Sequence, residues 1–149
     1  MNEHESYNIV PVGVVGGSQN SLQLEFKQEF IPALKGLSAF SHCQVIWWLH
    51  EFADDHFRQT TQILPPYEAP LTGVFASRSP LRPNPIGLSV ASIISVDEES
   101  GLVKVGGLDA YPGTPILDLK AYFPSTDRVR RVTVPEWAAG WGEWFPEYY

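Results

Sequence analysis

The sequence predicts an all-β, single-domain protein with little helix. Three observations lead to this prediction: β-branched and aromatic residues cluster in short runs, Gly, Pro and Ser separate these runs, and few segments have helical spacing. A chain of 149 residues, 44% of them hydrophobic, is long enough to bury one core. Six or seven short strands suit either a barrel or a sandwich, and the pattern alone leaves both open.

The elements follow in chain order. Strand-like runs cover residues 7–15, 22–26, 42–52, 86–96, 102–105 and 116–123. The polar stretch 97–101 predicts a hairpin loop, because it ends in Gly101, which tolerates positive φ. Helix is expected only at 29–37 and at 135–144, where Gly140 and Gly142 weaken the second prediction. The core is expected over 7–127, followed by an aromatic tail at 132–149.

Charge argues against a general nucleic-acid binder. The net charge is −7, whereas affinity independent of sequence comes from Lys and Arg neutralising phosphates. Residues 78–131 nevertheless hold seven of the ten basic side chains against six acids, which leaves this stretch at +1 and the rest of the chain at −8. A locally basic face and a mixed solvated surface both fit this count.

Several other functional classes are disfavoured. No run reaches the roughly 20 apolar residues of a membrane helix, and the first residues do not resemble a signal peptide, so a cytoplasmic protein without membrane contact is expected. The lone Cys43 rules out an internal disulfide and is expected as a small buried thiol. His42 and His50 would lie about 26 Å apart on one strand, so no metal site is expected.

The segment 73–90, GVFASRSPLRPNPIGLSV, is the strongest candidate for a binding site. Its prolines exclude a helix or a central strand, because each fixes φ and removes a backbone N–H. They are Pro80, Pro83 and Pro85. A stiff backbone can hold Arg78, Arg82 and Asn84 outward toward a carboxylate or phosphate. The alternative is a stiff surface loop whose arginines pair with nearby carboxylates.

A second cluster lies further along the chain. Asp118, Lys120 and Tyr122 share one strand face because their spacing is even, and Asp109 precedes them. One carboxylate here could orient or deprotonate a nucleophile, and Tyr122 could stack on a base. An Asp118–Lys120 ion pair, a turn-capping Asp109 and a half-buried packing tyrosine are equally compatible with the pattern. The segment 13–17 does not fit the GxGxxG pattern of a dinucleotide fold.

Three segments closely resemble the TsaA-like, or TrmO, family. They are GVFASRSPLRPNPIGLSV at 73–90, GGLDAYPGTPILDLKAYFPSTD at 106–127 and GLSAFSHCQVIWWLHEF at 36–52. The resemblance runs, with gaps, from about residue 7 to 127. It implies a compact β-barrel of the TsaA-like type with one or two short helices, S-adenosyl-L-methionine as cofactor, and a homodimer with the site near the subunit interface. It also implies N6-methylation of N6-threonylcarbamoyladenosine at position 37 of tRNA.

The same resemblance assigns roles to individual positions. The residues it implies for the cofactor are Phe52, Ala53, Arg78, Leu88, Gly106, Gly107, Leu108 and Asp109. It implies that Arg82, Asn84, Lys120 and Tyr122 contact the substrate, and that Asp109, Asp118 and Asn84 serve the chemistry. Without the resemblance, the pair Gly106 and Gly107 is equally compatible with a β-bulge or a tight turn.

Two further functions remain compatible with the residues. One is a methyltransferase of the same architecture acting on a small molecule or another nucleotide, which the negative charge favours. The other is a non-catalytic module that binds S-adenosyl-L-methionine. The tail aromatics are expected to pack, within one chain or across a dimer. They are Trp137, Trp141, Trp144, Tyr148 and Tyr149.

Overall fold

Six antiparallel strands close into a barrel. The computed structural model describes residues 4–147. The barrel strands are β1 Gly13–Ser18, β2 Ser21–Phe26, β3 His42–Trp48, β6 Ile86–Asp97, β7 Leu102–Gly106 and β8 Pro115–Ala121, arranged in the order β1-β2-β7-β6-β3-β8. Two short strands, β4 Gln62–Ile63 and β5 Thr72–Gly73, pair outside the barrel. The barrel confirms the all-β prediction and decides against a sandwich.

The core lies inside the barrel and follows the period-2 pattern of the strands. Val15 of β1 pairs with Leu24 of β2, and Leu24 pairs with Val103 of β7. All three side chains are almost completely buried. Val45 of β3 and Ile116 of β8 belong to the same buried cluster. Because side chains alternate between the two faces of a strand, one residue in two enters this core.

The six predicted strands are present, but the limits of the first, the third and the last differ by two or more residues; the last ends at Ala121, so Tyr122 lies just beyond it. The first begins at Gly13, and the exposed residues Tyr7, Ile9 and Val10 precede it outside any strand. The third ends at Trp48, which pairs with Ile86 at the start of β6. Beyond this pair the Leu49 N–H still donates to the Pro85 carbonyl at 2.7 Å, but Pro85 has no N–H to donate in return, and the chain continues as the 3-10 turn His50–Phe52, so the placement of residues 49–52 in the strand was wrong.

The hairpin between β6 and β7 is confirmed at residues 97–101. The Asp97 carboxylate accepts hydrogen bonds from the backbone N–H groups of Glu99 (2.9 Å) and Ser100 (3.2 Å). Gly101 has φ 78° and closes the turn. Hydrogen bonds from the Ser100 side chain and from these two backbone groups lower the pKa of Asp97.

The helices are short, as predicted, but most lie elsewhere. The predicted segment 29–37 overlaps a 3-10 helix, Gln28–Leu34, which contains Pro32. The segment 135–144 contains only the 3-10 turn Glu136–Ala138. The α-helices are α1 Asp55–Arg58 and α2 Pro124–Asp127, and neither was predicted. None of the helices between residues 4 and 147 has the length and hydropathy to cross a membrane.

The tail aromatics that are described pack within the chain. Trp137 stacks on Tyr67 with ring centroids 5.7 Å apart, and Trp141 meets Tyr67 edge to face at 5.0 Å. Arg128 lies over the ring of Trp144 at 5.4 Å. These contacts fold the tail back onto the loop that contains Tyr67. Tyr148 and Tyr149 lie outside the described residues.

Candidate functional site

A cleft of about 900 Å³ opens on one side of the barrel where three parts of the chain meet, and Phe145 of the C-terminal tail also lines it. One wall comes from the end of β3 and the turn that follows it. A second comes from the 3-10 turn Val74–Ala76, the proline loop (residues 77–85) and the start of β6, so the exclusion of helix and strand expected for 73–90 holds only for residues 77–85. The third comes from the loop between β7 and β8, which contributes Gly107, Asp109, Tyr111 and Thr114.

The proline loop is held by its own side chains. The Ser77 hydroxyl donates to the Val74 carbonyl at 3.0 Å and accepts from the backbone N–H of Ser79 at 3.2 Å. The Ser79 hydroxyl accepts in turn from the N–H of Leu81 at 3.1 Å. These serine bonds replace the ladder bonds that prolines cannot make, so the loop keeps a defined shape.

Arg82 braces this loop from inside. Its Nη2 donates to the carbonyl oxygens of Val74 and Ser77, the latter at 3.1 Å. The side chain is partly buried and also lines the cleft. Part of its hydrogen-bonding capacity therefore supports the loop, and the substrate contact expected of it stays a prediction.

Arg78 and Leu88 are neighbours in the cleft. Nη1 of Arg78 donates to the Leu88 carbonyl at 3.2 Å, which turns the exposed guanidinium toward the start of β6. A guanidinium has five N–H donors, and this bond uses one of them. An anionic ligand in the cleft would find the remaining donors beside the partly exposed Leu88 side chain.

Asn84 is oriented by a residue that the sequence analysis missed. Nη2 of Arg58 donates to the Asn84 side-chain oxygen at 3.0 Å, and Nε of Arg58 donates to the Pro83 carbonyl at 2.7 Å. The guanidinium also lies 5.8 Å from the ring centroid of Trp48. Arg58 is one of three basic residues outside 78–131, and nothing in its local sequence indicates this contact.

Only part of the segment 106–109 lines the cleft. Gly106 ends β7 and pairs with Ser92, while Leu108 is buried in the core. Gly107, with φ 81°, turns the chain between them and reaches the cleft together with the exposed Asp109. The tight-turn interpretation therefore holds for Gly107 but not for Gly106, which is a strand residue, and the turn at Gly107 precedes Asp109.

The end of β3 contributes an aromatic wall. Nε1 of Trp47 donates to the Ser89 hydroxyl at 3.2 Å, and Gly87 of β6 lies directly against the Trp47 ring. Phe52 lines the cleft and packs on Phe57 of α1 at 5.8 Å. Ala53 follows Phe52 but does not itself line the cleft.

The cluster on β8 lies apart from this cleft. Nζ of Lys120 forms an ion pair with Oδ2 of Asp118 at 2.9 Å, and hydrogen bonding to Asp118 raises the pKa of Lys120. Asp118 borders a second, smaller cavity of about 290 Å³. The ring of Tyr122 lies 6.3 Å from the ring of His42. This geometry agrees with the ion-pair and packing alternatives, and the catalytic and substrate roles stay predictions.

The described part of the chain contains no group of three or more His, Cys, Asp or Glu side chains that could hold a metal ion. His50 lines the cleft at the turn after β3, whereas His42 lies on the strand beside Ser41, whose hydroxyl is 2.7 Å from its Nδ1. The side chains that line the cleft include guanidinium, carboxylate, amide, imidazole, hydroxyl and apolar groups.

Comparison with known proteins places these features in a family. The model of the tRNA-methyltransferase O N-terminal domain matches residues 2–128. A probable S-adenosyl-L-methionine-binding protein of Archaeoglobus fulgidus is 36% identical over 126 residues, which are 85% of this chain and 31% of that protein. The tRNA (adenine(37)-N6)-methyltransferase of Escherichia coli is 36% identical over 116 residues, 75% of this chain and 48% of that enzyme.

The fold agrees with these matches. A crystal structure of TrmO from P. aeruginosa superposes with a TM-score of 0.70 and 25% identity, covering 90% of this chain and 62% of that one. The chain thus spans less than two thirds of the solved structure and about half or less of the two relatives. Since the family model covers most of the sequence, the chain belongs to the family of the tRNA-methyltransferase O N-terminal domain.

Proposed function

We propose that this chain is an S-adenosyl-L-methionine-dependent methyltransferase that methylates N6 of adenosine 37 in tRNA, with N6-threonylcarbamoyladenosine as the target nucleoside. One observation carries the proposal: Arg78, Leu88, Gly107 and Asp109, which the family resemblance assigns to the cofactor, line one cleft although they come from separate segments. The names of the relatives, which include S-adenosyl-L-methionine-binding proteins and a tRNA adenine methyltransferase, support it.

The residues of the cleft fit the proposed cofactor. A volume of about 900 Å³ lies within the usual range of roughly 300–1,000 Å³ for small-molecule sites. Arg78 offers donors to a carboxylate, and the partly exposed side chains of Ile86 and Leu88 offer apolar contact to a purine. Gly107 lets the backbone approach a ligand closely because it has no Cβ.

In the proposed reaction the protein mainly positions the two reactants. When bound, the cofactor would supply an electrophilic methyl group on a sulfonium that leaves as a neutral thioether. The chain must hold the acceptor nitrogen in line with that methyl group and accept the proton that the nitrogen releases. A carbonyl group flanks the target nitrogen and makes it more acidic than an ordinary exocyclic amine, so a carboxylate is a sufficient base.

We assign the proton acceptor to Asp109 in preference to Asp118. Asp109 is exposed within the cleft, whereas Asp118 is paired with Lys120 outside it. Asn84, oriented by Arg58, is assigned to the acceptor nucleoside. Arg82 supports the proline loop and stands close enough to the cleft to contact a phosphate.

One observation favours a second candidate, a module that binds the cofactor and acts on a small molecule or on nothing. The net charge of −7 weakens attraction to a polyanion. Binding of the cofactor is common to both candidates, so methyl transfer to tRNA distinguishes them.

The proposal also covers the oligomeric state and the cellular location of the protein. We expect a homodimer with the cleft near the subunit interface, in the cytoplasm, with residues 1–149 forming one domain of the family type. Exposed apolar side chains outside the cleft, such as Leu64, Leu71 and Ile94, provide surface that a second copy could cover.

The test is calorimetric titration with S-adenosyl-L-methionine. Wild type should bind, Arg78→Ala should lose most of the affinity, and Arg78→Lys should recover only part of it because a lysine lacks the planar fork. Arg130→Ala, at an exposed position away from the cleft, is the control and should bind as wild type does. Formation of S-adenosylhomocysteine that depends on tRNA would support the methyltransferase, and binding without turnover would support the second candidate. No binding by folded wild type would refute both.

A further inference from the structure

We propose that Phe75, together with Tyr111, forms the stacking platform for the acceptor base. This inference rests on the proposed function, since it names the part of the cleft that takes the nucleoside. Phe75 lies in the turn Val74–Ala76 and Tyr111 in the loop after β7, and both line the cleft.

Phe75 is unusually exposed for an aromatic residue. Phe75 is 88% accessible to solvent, the highest value of any large hydrophobic residue between residues 4 and 147. Tyr111 is 65% accessible. A phenyl ring left in water forgoes its transfer free energy, so a ligand that covers it gains that contribution. Because both rings border one concave site, the ligand is expected in the cleft.

The backbone beneath Phe75 is held firmly. Val74 is buried, its N–H donates to the Thr61 carbonyl at 2.9 Å, and its carbonyl accepts from the guanidinium of Arg82. The N–H of Ser77 donates to the same carbonyl at 3.2 Å. The ring is therefore presented on a fixed turn, and binding costs little ordering of the chain.

The proposed cofactor leaves these two rings available. The family resemblance assigns Arg78 and Leu88 to the cofactor and assigns no cofactor contact to Phe75 or Tyr111, which line the same cleft. A nucleobase has two apolar faces and stacks on aromatic side chains when it is unpaired. Position 37, next to the anticodon, lies in a single-stranded loop and can present its base in this way.

Stacking also explains how a negatively charged chain could bind RNA. A chain of net charge −7 gains little affinity from phosphates overall, so a contact with the base is expected to supply a large share of the affinity. Aromatic stacking supplies affinity that does not depend on counterion release. We therefore expect binding of RNA to depend strongly on Phe75 and only modestly on salt.

The test is direct binding of a fluorescently labelled anticodon stem-loop RNA that carries N6-threonylcarbamoyladenosine at position 37, measured by anisotropy on the full chain saturated with S-adenosylhomocysteine. Phe75→Ala should weaken binding by roughly 5- to 150-fold, the range for loss of one stacked base. Phe75→Tyr should bind within about threefold of wild type, since it keeps the aromatic face. Phe75→Leu, which keeps apolar area but has no ring, should be weakened nearly as much as Phe75→Ala.

Two controls separate stacking from other roles of the ring. Affinity for S-adenosylhomocysteine, measured by calorimetry, should be unchanged in all three variants. The molar mass from light scattering should also be unchanged. A Phe75→Ala protein that changes its oligomeric state would show that a second copy covers the ring and would overturn the proposal.

The remaining outcomes are distinct for the two proposals. Phe75→Leu binding as tightly as wild type, or wild type showing no affinity for the RNA, would refute stacking. Binding that depends on Phe75 without methyl transfer would uphold stacking and refute the proposed function. Methyl transfer to tRNA at an unchanged rate in Phe75→Ala would uphold the proposed function and refute stacking.

Discussion

The guanidinium of Arg58 donates to the side-chain oxygen of Asn84 across 3.0 Å, and so links the short helix α1 to the proline loop. The same guanidinium donates to the Pro83 carbonyl at 2.7 Å. The helix is itself fixed by Asp54, whose carboxylate accepts from the Phe57 N–H at 2.9 Å. A chain of contacts thus runs from a helix N-cap to a residue of the cleft.

Arg58→Ala should impair the acceptor more than the cofactor. It removes two hydrogen bonds from a charged donor, which in a partly exposed site is worth about 1–2 kcal/mol, or roughly 5- to 30-fold in kcat/KM for tRNA. Arg58→Lys should restore only part of this loss because it cannot make both bonds in one plane. Steady-state kinetics measure kcat/KM for tRNA, and calorimetry measures the affinity for the cofactor. A variant with normal kcat/KM would show that Asn84 keeps its position without Arg58.

Gly87→Ala should destabilise the wall of the cleft. A Cβ at this position would lie 2.5 Å from Cε2 of Trp47, so the indole ring must move. Overpacking of this kind costs about 1–3 kcal/mol of the free energy of unfolding. Urea unfolding and calorimetry should both detect the change, because Trp47 lines the cleft. The matched control is Gly140→Ala, where an added Cβ would meet no atom within 4 Å. Equal stability of the two variants would contradict the prediction.

The two carboxylates should differ when each is converted to an amide. Asp109→Asn should reduce kcat, by about 100-fold or more if the carboxylate is the general base. Asp118→Asn should leave kcat nearly unchanged, because this residue is paired with Lys120 outside the cleft. Single-turnover methylation of tRNA measures both. The opposite ranking would move the catalytic centre to β8.

Cys43 should make stability sensitive to alkaline pH. Burial raises the pKa of its thiol from an ordinary value of 9.0 to about 12. Between these two values the unfolded chain loses the proton while the folded chain keeps it, so the free energy of unfolding falls as pH rises, by up to about 1.4 kcal/mol per pH unit. Below pH 9 the contribution is fully present.

The measurement is urea unfolding of wild type and Cys43→Ala between pH 8 and pH 10.5. The variant should have lower stability at pH 8 because of the lost packing, but a shallower decline above pH 9. Parallel declines would show that the thiol does not titrate differently in the two states. The folded protein should also resist thiol reagents, since Cys43 is completely buried.

The strands were predictable because their pattern is local. Alternation of side chains along β2 and β7 places Leu24 and Val103 in the core, and the same alternation is visible in the sequence. The hairpin at 97–101 was predictable for the same reason, since Asp97 and Gly101 act within the turn itself. The end of β3 was not predictable, because it depends on where its partner β6 begins.

The site was predictable only in part. The resemblance pointed to Arg78, Leu88 and Asp109, which the structure brings into one cleft. Even spacing suggested that Asp118 and Lys120 act together, and they do, but as an ion pair outside that cleft. The helical segments predicted at 29–37 and 135–144 are present only as the shorter 3-10 helices Gln28–Leu34 and Glu136–Ala138.

The β content, the hairpin, the burial of Cys43 and the rigid character of the proline loop can all be inferred from the sequence, because each depends on backbone preferences or on side-chain alternation within a few residues. The tertiary structure decided that Arg58 meets Asn84, that Arg82 braces Val74, and that Asp109 shares a cleft with Arg78. Closure of the barrel brings these distant segments together, and a contact between residues far apart in the chain leaves no periodic signal in the sequence.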